Sequence, residues 1–259
     1  MATALITGAS AGLGLEFAWQ LAAAQHDLVL VARDTERLER LANHLRAAAG
    51  IAVEVLPADL ADRAQTERVA ERLRTLDNPV SLLVNNAGYA VDEPFLGGDL
   101  AKQEASLDVM VRAVMVLSHA AAEQMVVRER GAILNVSSIA ALTASGTYSA
   151  NKAWVRAFTE GLAVELRGSG VTATALCPGL VRTEFHERAG LDYSNLPGVV
   201  WLNAADVASA ALADVRRGVV ISTPSLRYRA ASGLLRVLPR SAVRAIQGSG
   251  SVSGAPRSR

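Results

Sequence analysis

Apolar residues recur along the chain in two alternating patterns. Short runs at Ala4–Thr7, Leu28–Ala32, Ala52–Leu56, Ser81–Val84, Ala132–Val136, Thr172–Leu176 and Val219–Ile221 are mostly continuous. Continuous runs of this length read as strands buried on both faces. Longer amphipathic segments lie between them. Thr35–Ala49 places Leu38, Leu41 and Leu45 at spacings of three and four, and Arg63–Leu76 places Val69, Leu73 and Leu76 similarly. Strand–helix alternation at this scale implies right-handed crossovers and a parallel sheet. The expectation is one α/β domain over residues 1–247, a doubly wound parallel sheet of about seven strands with helices on both faces. The Gly/Ser-rich stretch 248–259 is expected to be a disordered tail.

Ligands of such sheets bind beyond the carboxyl ends of the strands. The residues following the runs therefore carry the chemistry. Ala4–Thr7 leads into Gly8-Ala9-Ser10-Ala11-Gly12-Leu13-Gly14, and then into a helix with Phe17, Ala18 and Leu21. Glycine permits positive φ and close backbone approach. The helix start turns free N–H groups and partial positive charge toward a pyrophosphate. The second run ends Ala32-Arg33-Asp34. An acid there would accept from the adenosine ribose of NAD, whereas an arginine accommodates the 2′-phosphate of NADP. Arg33 can grip such a phosphate through two hydrogen bonds, which points to NADP(H) rather than NAD(H). Asp34 could instead fold back onto a ribose hydroxyl or pair with Arg33. Asp59-Leu60 ends the third run, where an Asp serves as a ligand contact or as a helix N-cap. The fourth run leads into Asn85-Asn86-Ala87-Gly88, small residues and amides that let backbone approach a ligand.

The fifth run ends in Ser137-Ser138. Ten residues after Ser138 stands Tyr148, opening an apolar helix in which Lys152 lies four residues further on. That spacing puts both side chains on one helical face. A tyrosine with an ordinary pKa near 10 is a poor acid–base group at neutral pH. A neighbouring ammonium favours the phenolate and lowers that pKa. Cys177-Pro178-Gly179-Leu180-Val181-Arg182-Thr183 follows the sixth run.

These segments resemble the short-chain dehydrogenase/reductase family, in its single-domain branch of roughly this length, from about Thr3 to Thr183. The glycines at 8, 12 and 14 are similar to its T-G-x-x-x-G-x-G turn, and residues 85–88 match its N-N-A-G motif. The resemblance implies a Rossmann-type fold and a ketone or aldehyde interconverted with an alcohol by hydride transfer. It implies that Tyr148 exchanges the alcohol proton, Ser138 holds the substrate oxygen, and Lys152 lowers the tyrosine pKa and binds the nicotinamide ribose. Cofactor contacts are then expected at Gly8, Ser10, Ala11, Gly12, Leu13, Gly14, Arg33, Asp59, Leu60, Asn85, Ala87, Gly88, Tyr148, Lys152, Pro178, Gly179, Val181 and Thr183. Two features depart from the family pattern. Many relatives carry a catalytic Asn where this chain has Met110, and Ser138 to Tyr148 is ten residues where thirteen is more usual. Ser137 is the alternative serine if the register differs by one. Met110 motivates a second reading, a non-catalytic or weakly active NADP(H)-binding regulatory protein.

Composition bounds the rest. The chain of 259 residues is 51% apolar, enough for one large core. No run approaches the ~20 uninterrupted apolar residues of a membrane-spanning helix. The first ten residues read as a strand and its turn rather than a targeting segment, and a cytoplasmic location is expected. Cys177 is the one cysteine, read as a buried small hydrophobe. The four histidines, 26, 44, 119 and 186, have no metal-ligand spacing, and no catalytic metal is expected. Net charge is +1, yet seven arginines and no acid follow Ser225, so residues 1–224 carry −6. An acidic body argues against nucleic-acid binding. The basic end segment reads either as a cover over the active-site loops or a neighbouring subunit, or as a surface touching anionic membrane; Pro239 interrupts it and disfavours the latter. Glu184–Leu202 lies where the resemblance implies a substrate lid; its Phe185, Leu191, Tyr193 and Trp201 suggest an apolar substrate or core packing. Apolar helices near 105–127 and 150–166 resemble those that pair subunits in the family, implying a homodimer or homotetramer.

Overall fold

A computed structural model describes residues 2–185 and 196–248 of the chain. Seven strands form one parallel sheet: β1 (Thr3–Thr7), β2 (Asp27–Ala32), β3 (Val53–Pro57), β4 (Val80–Asn85), β5 (Gly131–Val136), β6 (Val171–Leu176) and β7 (Ile221–Ser222). Their order across the sheet is β3-β2-β1-β4-β5-β6-β7, so the winding reverses between β1 and β4. That reversal opens a crevice above the carboxyl ends, the place where such sheets bind ligands. The seven apolar runs are these strands, with ends moved by one or two residues. The last is the shortest, two residues at the sheet edge against three in its run.

Helices cover both faces. α1 (Gly12–Ala23), α2 (Thr35–Ala49) and α7 (Ala204–Arg216) share one apolar core with Ile6, Leu28, Leu30 and Val84. α3 (Arg63–Arg74), α5 (Ala113–Val127) and α6 (Gly146–Glu165) share the other with Leu5, Val29, Leu83 and Ile133. α3 ends at Arg74 because Thr75 turns to extended backbone, so Leu76 is left exposed rather than continuing the apolar stripe. α4 (Leu100–Leu107) runs through a π turn, Asp108–Arg112, into α5. The whole stretch Leu100–Val127 is long and apolar enough to cross a membrane, although charges interrupt it; more than half is buried against the sheet. Extra-residue turns of this kind cluster at functional sites, and this one holds Met110, fully buried.

The basic end segment folds as two helices, α8 (Leu226–Val237) and α9 (Arg240–Gly248), broken at Pro239. Helix therefore reaches the first residue of the expected tail; residues 249–259 lie outside the described residues. Arg227 donates to Val199 O, and Arg240 donates to Leu142 O at 2.9 Å and to Thr143 O at 3.4 Å. The segment thus covers loops at the carboxyl end of the sheet.

A chain of buried polar groups links the central strands to their helices. Asn85 Nδ2 donates to Asn135 Oδ1 at 2.9 Å and to Ser118 Oγ at 3.1 Å, and Asn135 Nδ2 donates to Thr159 Oγ1 at 3.0 Å. It joins β4, α5, β5 and α6 where apolar side chains alone would specify no register. Removing one member strands its partners away from water, at about 1–3 kcal/mol. Asn85→Ala is therefore expected to lose that much stability in urea denaturation; an unchanged midpoint would show the chain to be energetically idle.

Candidate active site

The strand ends meet through backbone that side chains would hold apart. Gly8 sits at φ +66°, and a Cβ there would lie 2.9 Å from Ala87 Cα. A Cβ at Gly14 would lie 2.1 Å from Gly8 O. Both glycines are needed for α1 and the Asn86–Ala87 segment to close on the turn. Thr7 and Asn86 then sew the two together. Thr7 Oγ1 accepts from Asn86 N at 3.0 Å and Ala87 N at 3.1 Å, and Asn86 Nδ2 donates to Thr7 O at 3.0 Å. Ala11, the N-cap of α1, offers no side-chain acceptor to the first-turn N–H groups. Ala11, Gly12 and Leu13 border the crevice, where an anion site would need such donors.

The crevice is a cleft of about 1180 Å³ running from this turn to α6. Gly8, Ser10, Ala11, Gly12 and Leu13 line it from the first turn, Arg33 from β2, Asp59 and Leu60 from β3, and Ala87 and Gly88 from β4. Ser138, Tyr148, Lys152, Pro178, Gly179, Val181 and Thr183 complete it. Two of the expected contact residues are not among the lining residues. Gly14 lies beneath Gly8 and acts by letting α1 approach. Asn85 points into the sheet's covered face and spends its amide on Ser118 and Asn135, so the direct contact expected of it gives way to a structural role. Its neighbour Asn86 lines the cleft instead.

Asp34 does not pair with Arg33. It caps α2, accepting from Arg37 N at 2.9 Å, and its other oxygen faces Arg37 Nε at 3.5 Å. Arg33 stays exposed on the cleft wall without an ion pair among the described residues. Asp59 is not the cap of α3; Asp62 is. Asp59 Oδ1 accepts from Ala61 N at 3.0 Å, which fixes the turn at the cleft edge.

At the other end, α6 brings Tyr148 and Lys152 together, with Lys152 Nζ 5.8 Å from the tyrosine ring centroid. The tyrosine ring also tilts against Phe185, centroids 5.8 Å apart. Lys152 Nζ donates to Val136 O at 2.8 Å, and a Cβ at Gly88 would lie 3.3 Å from that nitrogen. Met110 Sδ would be at 3.3 Å from the same point, so Met110 packs on Gly88 beside the amine. The two serines divide their work. Ser137 is buried and donates to Lys152 O at 2.7 Å, fixing α6 to β5. Ser138 caps the short turn Ile139–Leu142, its Oγ accepting from Ala140 N at 3.1 Å, and lines the cleft. The ten-residue spacing therefore still brings Ser138 to the same cleft as Tyr148. Residues 186–195, including His186, Leu191 and Tyr193 of the expected lid, lie outside the described residues.

A family model for short chain dehydrogenase matches residues 2–194. The chain belongs to the short-chain dehydrogenase/reductase family. It is 35% identical to a short-chain dehydrogenase from Sphingobium yanoikuyae solved in complex with NADPH; the match covers 100% of this chain and 99% of that one, with a TM-score of 0.84. A bulky-bulky ketone specific alcohol dehydrogenase from Comamonas testosteroni is 28% identical, with 100% and 97% covered and a TM-score of 0.81. The ketoacyl reductase HetN of Nostoc sp. is 32% identical over 182 residues, 69% of this chain but only 63% of that protein. The family is one of oxidoreductases, and the Rossmann-type sheet of this chain is the one these neighbours share.

Thr7 and Asn86 were missed as site residues, although the motifs contain both. Strand alternation carries the signal: Leu83 and Asn85 share one face, which sends Asn86 to the other. Cys177 is buried, and burial pushes its thiol pKa up, which leaves it an unreactive packing group in the dehydrogenase. Burial acts oppositely on Lys152, lowering its pKa from 10.5 to about 8. Desolvation penalises the ammonium, and among the described residues no carboxylate pairs with it. Below pH 8 the folded chain carries that penalty in full; as pH rises toward 10.5 the amine sheds its proton more readily folded than unfolded. Stability from this group thus increases with pH across that window. Relative to Lys152→Met, the wild-type protein should gain on the order of 2 kcal/mol of unfolding free energy between pH 7 and 10. A gap independent of pH in paired chemical denaturations would contradict this account of the amine.

Proposed function

We propose that the protein is an NADP(H)-dependent carbonyl reductase or alcohol dehydrogenase acting on an apolar ketone or aldehyde. The observation that carries this is a single cleft lined at one end by the glycine turn and Arg33, and at the other by Ser138, Tyr148 and Lys152. The cleft fits a dinucleotide on its own terms. Glycine leaves backbone bare where a pyrophosphate would lie, α1 presents uncapped donors, and Arg33 is a cation available to a 2′-phosphate. When bound, nicotinamide supplies the hydride that the side chains cannot.

The side chains have defined tasks. Tyr148 gives a proton to the substrate oxygen in reduction and takes it back in oxidation. Ser138 donates a hydrogen bond to the same oxygen, which orients the carbonyl and stabilises charge growing on it. Lys152, held by Val136 O, keeps positive charge near the phenol and makes its deprotonated form accessible. Ser137 holds the helix bearing both groups against β5. Val91, Val109, Ile139, Leu180 and Phe185 line the substrate end and favour an apolar molecule. The ketone-specific neighbour makes bulky ketones the first compounds to try.

Met110 favours a second reading, a cofactor-binding protein with little or no turnover. Its thioether stands beside the lysine where many relatives have an amide that helps hold water for proton relay. Retention of Ser138, Tyr148 and Lys152 in one cleft weighs for the enzyme. Leu107, Met115, Val126 and Val164 are exposed on α4–α6, which supports a homodimer or homotetramer; the cover formed by α8 and α9 supports a packing role for the basic segment over a membrane one.

A ketone screen followed by NADPH absorbance should give turnover that Tyr148→Phe lowers at least a hundredfold with cofactor affinity retained. Cofactor binding without any turnover would favour the second reading. Loss of a charge-assisted contact costs about 1.5–3 kcal/mol. Arg33→Ala should accordingly raise KM for NADPH about ten- to a hundredfold and leave NADH nearly unaffected. Equal effects on both cofactors would refute the phosphate assignment.

A further inference from the structure

We propose that Tyr228, on the basic C-terminal helix α8, is a positioning residue that pins the loop after β6 and so sets the nicotinamide end of the cleft. Resting on the oxidoreductase reading, it adds a residue from outside the matched family region, which ends at 194.

The tyrosine acts through its ring and its hydroxyl at once. Its ring lies flush on Gly179: a Cβ at that glycine would fall 2.1 Å from Tyr228 Cζ and 2.2 Å from Cε2. Those are impossible distances against a half-buried ring held at its far end. Gly179 therefore has to be glycine here because of Tyr228, not because of its φ. The hydroxyl donates to Val200 O at 2.6 Å and accepts from Leu180 N at 3.3 Å. One oxygen thus bridges two backbone segments twenty residues apart. A second clasp runs beside it: Leu202 N donates to Leu180 O at 2.8 Å, Arg182 N donates to Leu202 O at 3.0 Å, and Val181 forms a parallel bridge with Leu202. The pinned loop contributes Pro178, Gly179, Leu180, Val181 and Thr183 to the cleft wall. The same loop reaches the serine turn, because Ile139 N donates to Pro178 O at 3.0 Å. A shift at Tyr228 is therefore transmitted to the walls on both sides of the reacting carbonyl. Tyr228 itself does not line the cleft, so it acts only through this loop.

Tyr228→Phe keeps the ring on Gly179 and removes both hydrogen bonds, so the fold is preserved while the pin is lost. In full-length protein, amide exchange measured by mass spectrometry should quicken at least threefold in peptides spanning 178–183 and 197–203, and stay unchanged in β6. Kd for NADPH should move less than twofold, because the adenosine end is untouched. Fluorescence of bound NADPH should fall toward that of free cofactor, and kcat for the best ketone should fall about tenfold with a larger isotope effect from 4-deuterated NADPH. A purely structural role would lower the melting temperature but leave bound-cofactor fluorescence and the isotope effect as in wild type. Unchanged exchange, or unchanged fluorescence with unchanged kcat, would overturn the proposal. If the wild type turns over no carbonyl compound, the oxidoreductase reading fails, and exchange with fluorescence still decides the role of Tyr228. Tyr228→Leu, which also strips the ring from Gly179, should enlarge both effects.

Discussion

A sheet can carry a dinucleotide across its carboxyl ends only where backbone meets backbone without side chains between. In this chain that constraint falls on Gly8 and Gly14. A single methyl at Gly14 would overlap Gly8 O, and one at Gly8 would press on Ala87 and the Asn86 amide. The closeness lets Thr7, Gly8, Asn86 and Ala87 tie the two strand ends through four hydrogen bonds of 3.0, 3.0, 3.1 and 3.2 Å. It also aims the first turn of α1 into the crevice. Strand order makes the crevice, since β1 and β4 are neighbours in space but their connections leave in opposite directions.

The opposite end of the cleft is governed by charge rather than by space. A lysine amine enclosed by Val136 O, Gly88 and Met110 is expensive to keep protonated, which is why its pKa drops to about 8. The same enclosure strengthens its effect on a phenol one helical turn away, because low-polarity surroundings screen charge poorly. Met110 sharpens this conflict. An amide in its place could share hydrogen bonds with water beside the amine; a thioether accepts only weakly. The protein therefore surrounds this amine with a thioether where the family pattern has an amide, and its described hydrogen bond is to a backbone carbonyl, Val136 O.

Much of this was legible in the sequence because it is local. The seven runs, the helix over Thr35–Ala49 and the glycine turn each announce themselves within a dozen residues. Tyr148 and Lys152 follow from a single helical period. What was less legible has a different cause. Asn85 and Asn86 are adjacent and chemically identical, and only the alternation of the strand tells which faces the cleft. Leu83 belongs to the α3–α5 core, so Asn85 two residues on belongs there too, and it meets Ser118 of α5 as that register demands. At Asp59 the sequence left two roles open, a ligand contact or a helix cap; Asp62 takes the cap by accepting from Gln65 N, and Asp59 lines the cleft.

What the sequence could not reveal is long-range. Tyr228 reads as one aromatic residue in a basic segment, and its partners Leu180 and Val200 lie 48 and 28 residues away. Gly179 was legible as a motif residue but not as the seat of an aromatic ring. Arg240 is more remote still, reaching back 98 residues to Leu142. These contacts gather at the end of the cleft that holds Ser138 and Tyr148, whereas the end that holds Gly8 and Arg33 is built mainly by turns contiguous in sequence. The two ends therefore answer to different constraints. Backbone geometry at the glycine turn leaves little freedom for change, while the loops at 138–143 and 178–183 are also held by hydrogen bonds from helices that follow the last strand. α8 and α9 reach the cleft only through these loops and make no contact with the glycine turn among the hydrogen bonds described, so a change in them would act on one end of the cleft and spare the other.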